Sequence, residues 1–145
     1  MVDLAALQKY SLFGGIQGEE IERIRPFFEE RDYEPGAAIV SEGKPNDRIF
    51  FILEGRVVIS KGGVPIAKRG EGDTFGEMEI LDVMPAAATV TALAPTRIAT
   101  ISNRSLHEIY HENVGTFALI VMNLARELSR NLRRMNELLT NAAGR

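Results

Sequence analysis

The chain has no cysteine, only two histidines and no surplus of basic residues, and each shortage removes a class of function. Without cysteine there is no disulfide, no thiolate nucleophile and no cysteine metal site, which suits a reducing compartment. A formal charge of −3 leaves no basic excess for neutralising the phosphates of DNA or RNA, so nucleic acid is disfavoured as a direct partner. The opening "MVDLAALQKYSLF" carries an early acid, no basic leader and no long apolar run, which argues against a signal peptide or membrane span and for the cytoplasm. What is present, 145 residues of which 45% are hydrophobic and 26% charged, fits one globular domain over 1–145.

Along the chain the apolar period changes twice. Residues 3–28 read as short helices, because Leu4, Leu7, Ile21, Ile24 and Phe28 recur at helical intervals; Gly18 with Glu19 and Glu20 marks a helix start, and the helices end near Pro26. From about 29 to 101 the pattern is one of short runs, "AAIV", "RIFFIL", "RVVIS", "VPIAKR", "ATVTAL" and "RIATI", separated by turn compositions. Closely spaced strands of this kind predict a sandwich or barrel. Lys61-Gly62-Gly63 reads as the tip of a hairpin joining strands near 55–61 and 64–69. After residue 102 the pattern predicts a short helix and then a long one, with the break at Gly115.

The long helix keeps Val121, Leu124, Leu128, Leu132, Met135 and Leu139 on one stripe, with Arg126, Arg130, Arg133 and Arg134 mostly away from it. That stripe either packs on the chain's own barrel or forms a two-helix seam with a second copy, and its length favours a homodimer through this helix. The arginines read as a solvated face. Just before it, "HEIYH" places His107 and His111 around Glu108 in the H-E-x-x-H pattern of zinc hydrolases. These are the chain's only histidines, so a third ligand would have to be a carboxylate such as Glu127 or Glu137. A short helix after a β-region is also the wrong scaffold, so we read a polar linking helix, no metal and no enzyme.

The stretch "FGEMEILDVMPAAATV", residues 75–90, holds a second candidate site. A short helix starting at Glu77 would put Gly76 and free backbone N–H groups at a positive helix end that suits an anion. The simpler alternative is that Gly76 only permits a turn and Glu77 only favours a helix start. Residues 75–90 resemble the phosphate-binding cassette of cyclic nucleotide-binding domains, roughly F-G-E-apolar-small-apolar followed by P-R-[AST]-A-T-V. "YEPGAAIVSEGKPNDRIFFILEGRVVIS", residues 33–60, is similar to the same family's Pro-Gly, Glu-Gly, Asp and Gly punctuation, and the flanking helices sit where the family keeps its own.

The resemblance implies an α+β fold: an eight-stranded antiparallel β-roll over 29–101, with N-terminal helices over 1–28 and a hinge and lid helix over 102–145. It implies a stand-alone sensor module in signal transduction, with a cyclic nucleotide or related small molecule as ligand, no cofactor, and an unidentified protein partner. No helix-turn-helix, kinase, channel or cyclase segment is read within the 145 residues. The ligand residues implied are Phe75, Gly76, Glu77, Met78, Glu79, Pro85, Ala86, Ala87, Ala88 and Thr89. Glu77 would accept the ribose 2′-hydroxyl, and N–H groups of Gly76, Met78 and Glu79 would face the cyclic phosphate. Where the family keeps an arginine for that phosphate, this chain has Ala86, and where it prefers a small residue, the chain has Glu79. Ala87 offers no hydroxyl for guanine, so adenine, as cAMP, is the expected base. A cation from Arg97, Arg69 or Arg48 is the available substitute. The alternative is a ligand-free scaffold or dimerisation module that keeps only the fold.

Overall fold

The structure, a computed structural model, describes residues 11–144. Leu4 and Leu7, on which part of the helical reading rests, lie outside the described residues. A 3-10 turn at Ser11–Phe13 leads to helix α1 (Gly18–Ile24) and a second 3-10 turn at Arg25–Phe27, which contains Pro26. Eight strands follow: β1 (Glu29–Tyr33), β2 (Ala38–Val40), β3 (Arg48–Glu54), β4 (Arg56–Lys61), β5 (Val64–Gly70), β6 (Thr74–Phe75), β7 (Thr89–Ala92) and β8 (Thr96–Ser102). Helix α2 (Glu77–Asp82) lies between β6 and β7, and α3 (Asn103–Glu112) and α4 (Val114–Ala143) close the chain.

The strands form two antiparallel sheets of four, ordered β1-β8-β3-β6 and β2-β7-β4-β5. This is the α+β roll that the sequence predicts. Each of the six apolar runs contains a strand, whereas β1 and β6 were not among them. β1, "EERDY", is an edge strand with mostly exposed side chains, and β6 has only two residues, so neither shows an apolar run. The predicted hairpin is present: Lys61 pairs with Val64, leaving Gly62 and Gly63 as its two-residue turn at φ 58° and 80°. Two successive positive φ values are what such a turn needs to match strand twist.

Two apolar clusters explain why "RIFFIL" is apolar without alternation. Phe50 and Ile52 of β3 face the space between the sheets with Val40, Val57, Phe75, Ala86, Val90 and Ile98. Ile49 and Phe51 face the other way, into a cluster with Phe13, Ile21, Ile24, Leu106, Ile109, Ile120 and Leu124 from the helices. A strand covered on both faces loses the alternation that marks a half-buried one.

The break between the final helices lies at Asn113, not at Gly115. Asn113 is extended, at φ −154° and ψ 96°, and its side chain accepts from the Thr116 N–H at 3.1 Å, capping α4. Gly115 lies inside the first turn of α4, where the cap outweighs the low helix propensity of glycine. Glu20 fixes this corner to α1, accepting from Asn113 Nδ2 at 2.9 Å and Thr116 Oγ1 at 3.2 Å. Further along, Asn123 Nδ2 donates to the carbonyls of Leu12 and Gly14, each at 2.9 Å. The first half of α4 is thereby held against the N-terminal segment. Among the described residues its second half has no such contact: Leu132, Met135, Leu138 and Leu139 are all exposed.

Candidate functional site

The candidate loop is built from the interior outward. Phe75 stacks on Phe50, ring centroids 4.8 Å apart and nearly parallel, which anchors the end of β6 between the sheets. Gly76 then turns the chain at φ +83°, where a Cβ would lie 2.7 Å from the Arg48 carbonyl oxygen. Only glycine combines that φ with that approach. Helix α2 starts at Glu77 and stops at Val83, itself left-handed at φ 58°, after which Pro85 to Ala88 return towards β7. Ala86 is pinned by backbone bonds to the 41–44 loop, its N–H to Lys44 and its carbonyl to Gly43, each 2.9 Å.

Within this frame Glu77 and Glu79 are both buried, at 6% and 8% exposure. Burial pushes the Glu77 carboxyl up to about 7. Its own N–H and Arg69 oppose that shift, and the charges of Glu79 and Glu127 add to it. Its Oε2 is buried with no hydrogen-bond partner among the described residues. Burial also raises Glu79, opposed by hydrogen bonds from Asn46, from its own N–H and from the Ala87 N–H. Asn46 Nδ2 reaches three oxygens, the carbonyls of Arg48 (2.9 Å) and Gly76 (3.2 Å) and Glu79 Oε1 (3.4 Å). A carboxylate at position 79 therefore points inward.

The ten candidate residues separate into three groups. Gly76, Glu77, Glu79 and Ala86 come together, with the Ala87 N–H acting on the Glu79 carboxyl from across the loop. Phe75 serves the core and Thr89 has its hydroxyl engaged by the Glu42 N–H at 3.0 Å; Ala88 is half-buried beside it. Met78, Pro85 and Ala87 are exposed residues, Ala87 taking part through its backbone. Of the three arginines considered as substitutes, Arg97 donates to Asp32 at 3.1 Å on an exposed face, and Arg48 donates to Thr100 Oγ1 at 3.1 Å beside Glu29. Arg69 pairs across strands with buried Val57, so it shares the inner face of its sheet, and its charge acts on Glu77. Asn46 gave no signal in the sequence beyond a loop composition. Glu127, weighed there only as a metal ligand, emerges as a charge acting on Glu77 from α4.

A cavity of about 260 Å³ lies between α2, α3 and α4, lined by Ile49, Ile80, Leu106, Phe117, Val121 and Leu124, with Glu77 also on its wall. His107 borders the same cavity, and both histidines are exposed on α3. No group of three or more histidine, aspartate or glutamate side chains able to hold a metal ion occurs among the described residues. No helix there is long and apolar enough to cross a membrane.

The fold is an eight-stranded roll flanked by helices, with a Phe-Gly-Glu turn opening a short helix whose two glutamates are buried, and residues 30–113 match the Cyclic nucleotide-binding domain family. The chain belongs to that family. It is 32% identical over 130 residues to a cAMP-dependent protein kinase regulatory subunit of Mycosarcoma maydis, a match covering 83% of this chain and 24% of the relative. It is 26% identical over 135 residues to a CRP-like cAMP-activated global transcriptional regulator of Mycobacterium tuberculosis, covering 90% of this chain and 58% of the relative. Among solved structures, a cyclic nucleotide-binding domain from Methylobacillus flagellatus KT superposes with a TM-score of 0.86 at 25% identity, covering 96% of this chain and 81% of that one. The chain thus spans less than two thirds of these curated relatives.

Proposed function

We propose that this chain is a non-catalytic, cytoplasmic regulatory module that senses a cyclic nucleotide-type ligand in signal transduction, with cAMP affinity weakened or specificity altered by Ala86. The observation that carries this reading is the geometry of Gly76 and Glu77: a glycine at φ +83° opening a short helix whose first carboxyl is buried with Oε2 unpartnered among the described residues. The missing arginine sets the magnitude. Hydrogen bonds to charged groups contribute about 1.5 to 3 kcal/mol, so its loss weakens cAMP binding on the order of tenfold to a hundredfold. Ala86→Arg is expected to recover at least about tenfold of that, measured by calorimetry. No heat and no melting shift with either cAMP or cGMP, for the native chain and the variant alike, would sink the reading.

The module's output is proposed to pass through its helices. Ile80 on α2 meets Phe117 and Val121 of α4 across the apolar cavity, so a ligand that shifts α2 changes the packing of α4. A homodimer through the second half of α4 is the favoured assembly, because Leu132 and Leu139 are 62% and 63% exposed on a helix of 30 residues. The ligand-free scaffold shares this dimer and differs only in having no small-molecule response.

A further inference from the structure

We infer that this site, taken as the cyclic nucleotide-type pocket proposed above, is fitted to a nucleoside-type ligand, a hydroxyl-bearing sugar on a planar ring with no phosphate, because the Glu79 carboxylate occupies the phosphate's place. Asn46 Nδ2 donates to its Oε1, and the N–H groups of Glu79 at the start of α2 and of Ala87 beside Ala86 both favour its charged form. These are donors on the two sides of the loop that would cradle an anion. Asn46 Nδ2, 3.4 Å from Oε1, holds the carboxylate in place, and Glu79 is only 8% exposed. A phosphodiester would have to displace this group and then lie beside it.

The surrounding charges act in the same direction. Burial already holds both the Glu77 and Glu79 carboxyls above their ordinary range, and Glu127 adds a further negative field on Glu77. Ala86, 3% exposed, contributes a buried methyl group and no cation. Arg69 is the cation on the inner face, and its field falls on Glu77. At Glu77 the charge of Arg69 is opposed by those of Glu79 and Glu127, which weakens the field left for a ligand anion.

Hydroxyls answer what the site lacks. Glu77 Oε2, on a side chain more than nine-tenths buried, has no partner among the described residues and needs a donor, which a sugar hydroxyl supplies without bringing charge. A cationic ligand would meet Arg69. A planar ring would meet the Arg69 guanidinium, which shares its sheet face with Val57, while Ile59 pairs with Val90 on the neighbouring strand.

Calorimetry of the whole chain against adenosine, guanosine, cytidine and uridine, each beside its 3′,5′-cyclic phosphate, tests the inference. At least one nucleoside is expected to bind at least about tenfold more tightly than its cyclic phosphate. Glu79→Ala with Ala86→Arg should reverse that order, while Ala86→Arg alone recovers only part of the cyclic nucleotide affinity because Glu79 remains. Melting curves establish that the double variant is folded; should it not be, Glu79→Ala alone must shift the preference towards the cyclic phosphate. Tighter binding of a cyclic nucleotide by the native chain, abolished by Arg69→Gln, would overturn the inference and make Arg69 the phosphate cation. No nucleoside binding with cyclic nucleotide binding in the double variant would overturn it too, leaving the proposed function intact. If neither protein binds any of these ligands, both readings fail.

Discussion

Glu77 links ligand recognition to pH. Its carboxyl rises from an ordinary value of 4.5 to about 7 on folding, chiefly through burial, so the folded chain retains a proton that the unfolded chain releases. The sign follows from linkage: between pH 4.5 and about 7 the unfolded state binds fewer protons, so stability falls as pH rises through that window. The full effect is on the order of 3 kcal/mol. Glu77→Gln keeps the size and neutrality of the protonated acid. It is expected to gain in melting temperature relative to the native chain on going from about pH 5 to about pH 8. An unchanged difference between the two melting temperatures across that range would show that Glu77 titrates normally. Glu79, raised for the same reason, contributes with the same sign.

At the scale of elements, the decisive joint is the one between α3, α4 and the N-terminal segment. Asn113 and Asn123 are short amides that a propensity argument counts against a helix, yet each closes contacts that no apolar residue could make. Asn123 serves two carbonyls with one amide, at 4% exposure. Asn123→Leu leaves the Leu12 and Gly14 oxygens without this donor and should cost about 1 to 3 kcal/mol in urea unfolding. A smaller loss than that of a surface asparagine on the same helix would remove Asn123 from the joint. The placement of this helix break was illegible in the sequence because Gly115 is the stronger local breaker. The Asn113 cap is completed by Glu20, 93 positions away.

For the whole molecule, the apolar stripe of α4 divides between two environments. Leu124 is 2% exposed in the chain's own core, whereas Leu132, Met135 and Leu139 lie outside that core among the described residues and are exposed. A helix of 30 residues runs about 45 Å, against about 23 Å for a seven-residue strand of the roll, which is why one stripe serves two purposes. Leu132→Lys with Leu139→Lys is expected to convert a dimer into a folded monomer in sedimentation equilibrium. A native chain that is already monomeric at high micromolar concentration would contradict the seam.

The sequence alone determined what depends on near neighbours. A sandwich or barrel was legible from closely spaced apolar runs and the hairpin from Gly62-Gly63, since periodicity and backbone freedom are local properties, while the roll and the cassette around Phe75-Gly76-Glu77 were implied by the family resemblance. β1 escaped because an exposed edge strand has no apolar pattern, and β6 because two residues make none. The tertiary structure decided where side chains point and which charges they meet. Glu79 turns inward to Asn46, Arg69 rather than Arg97 or Arg48 acts on Glu77, and the charge of Glu127 on α4 acts on the same carboxyl. Burial and electrostatic fields are summed over groups that the fold brings together from distant positions, and so a spacing of letters could locate this site without revealing its charge.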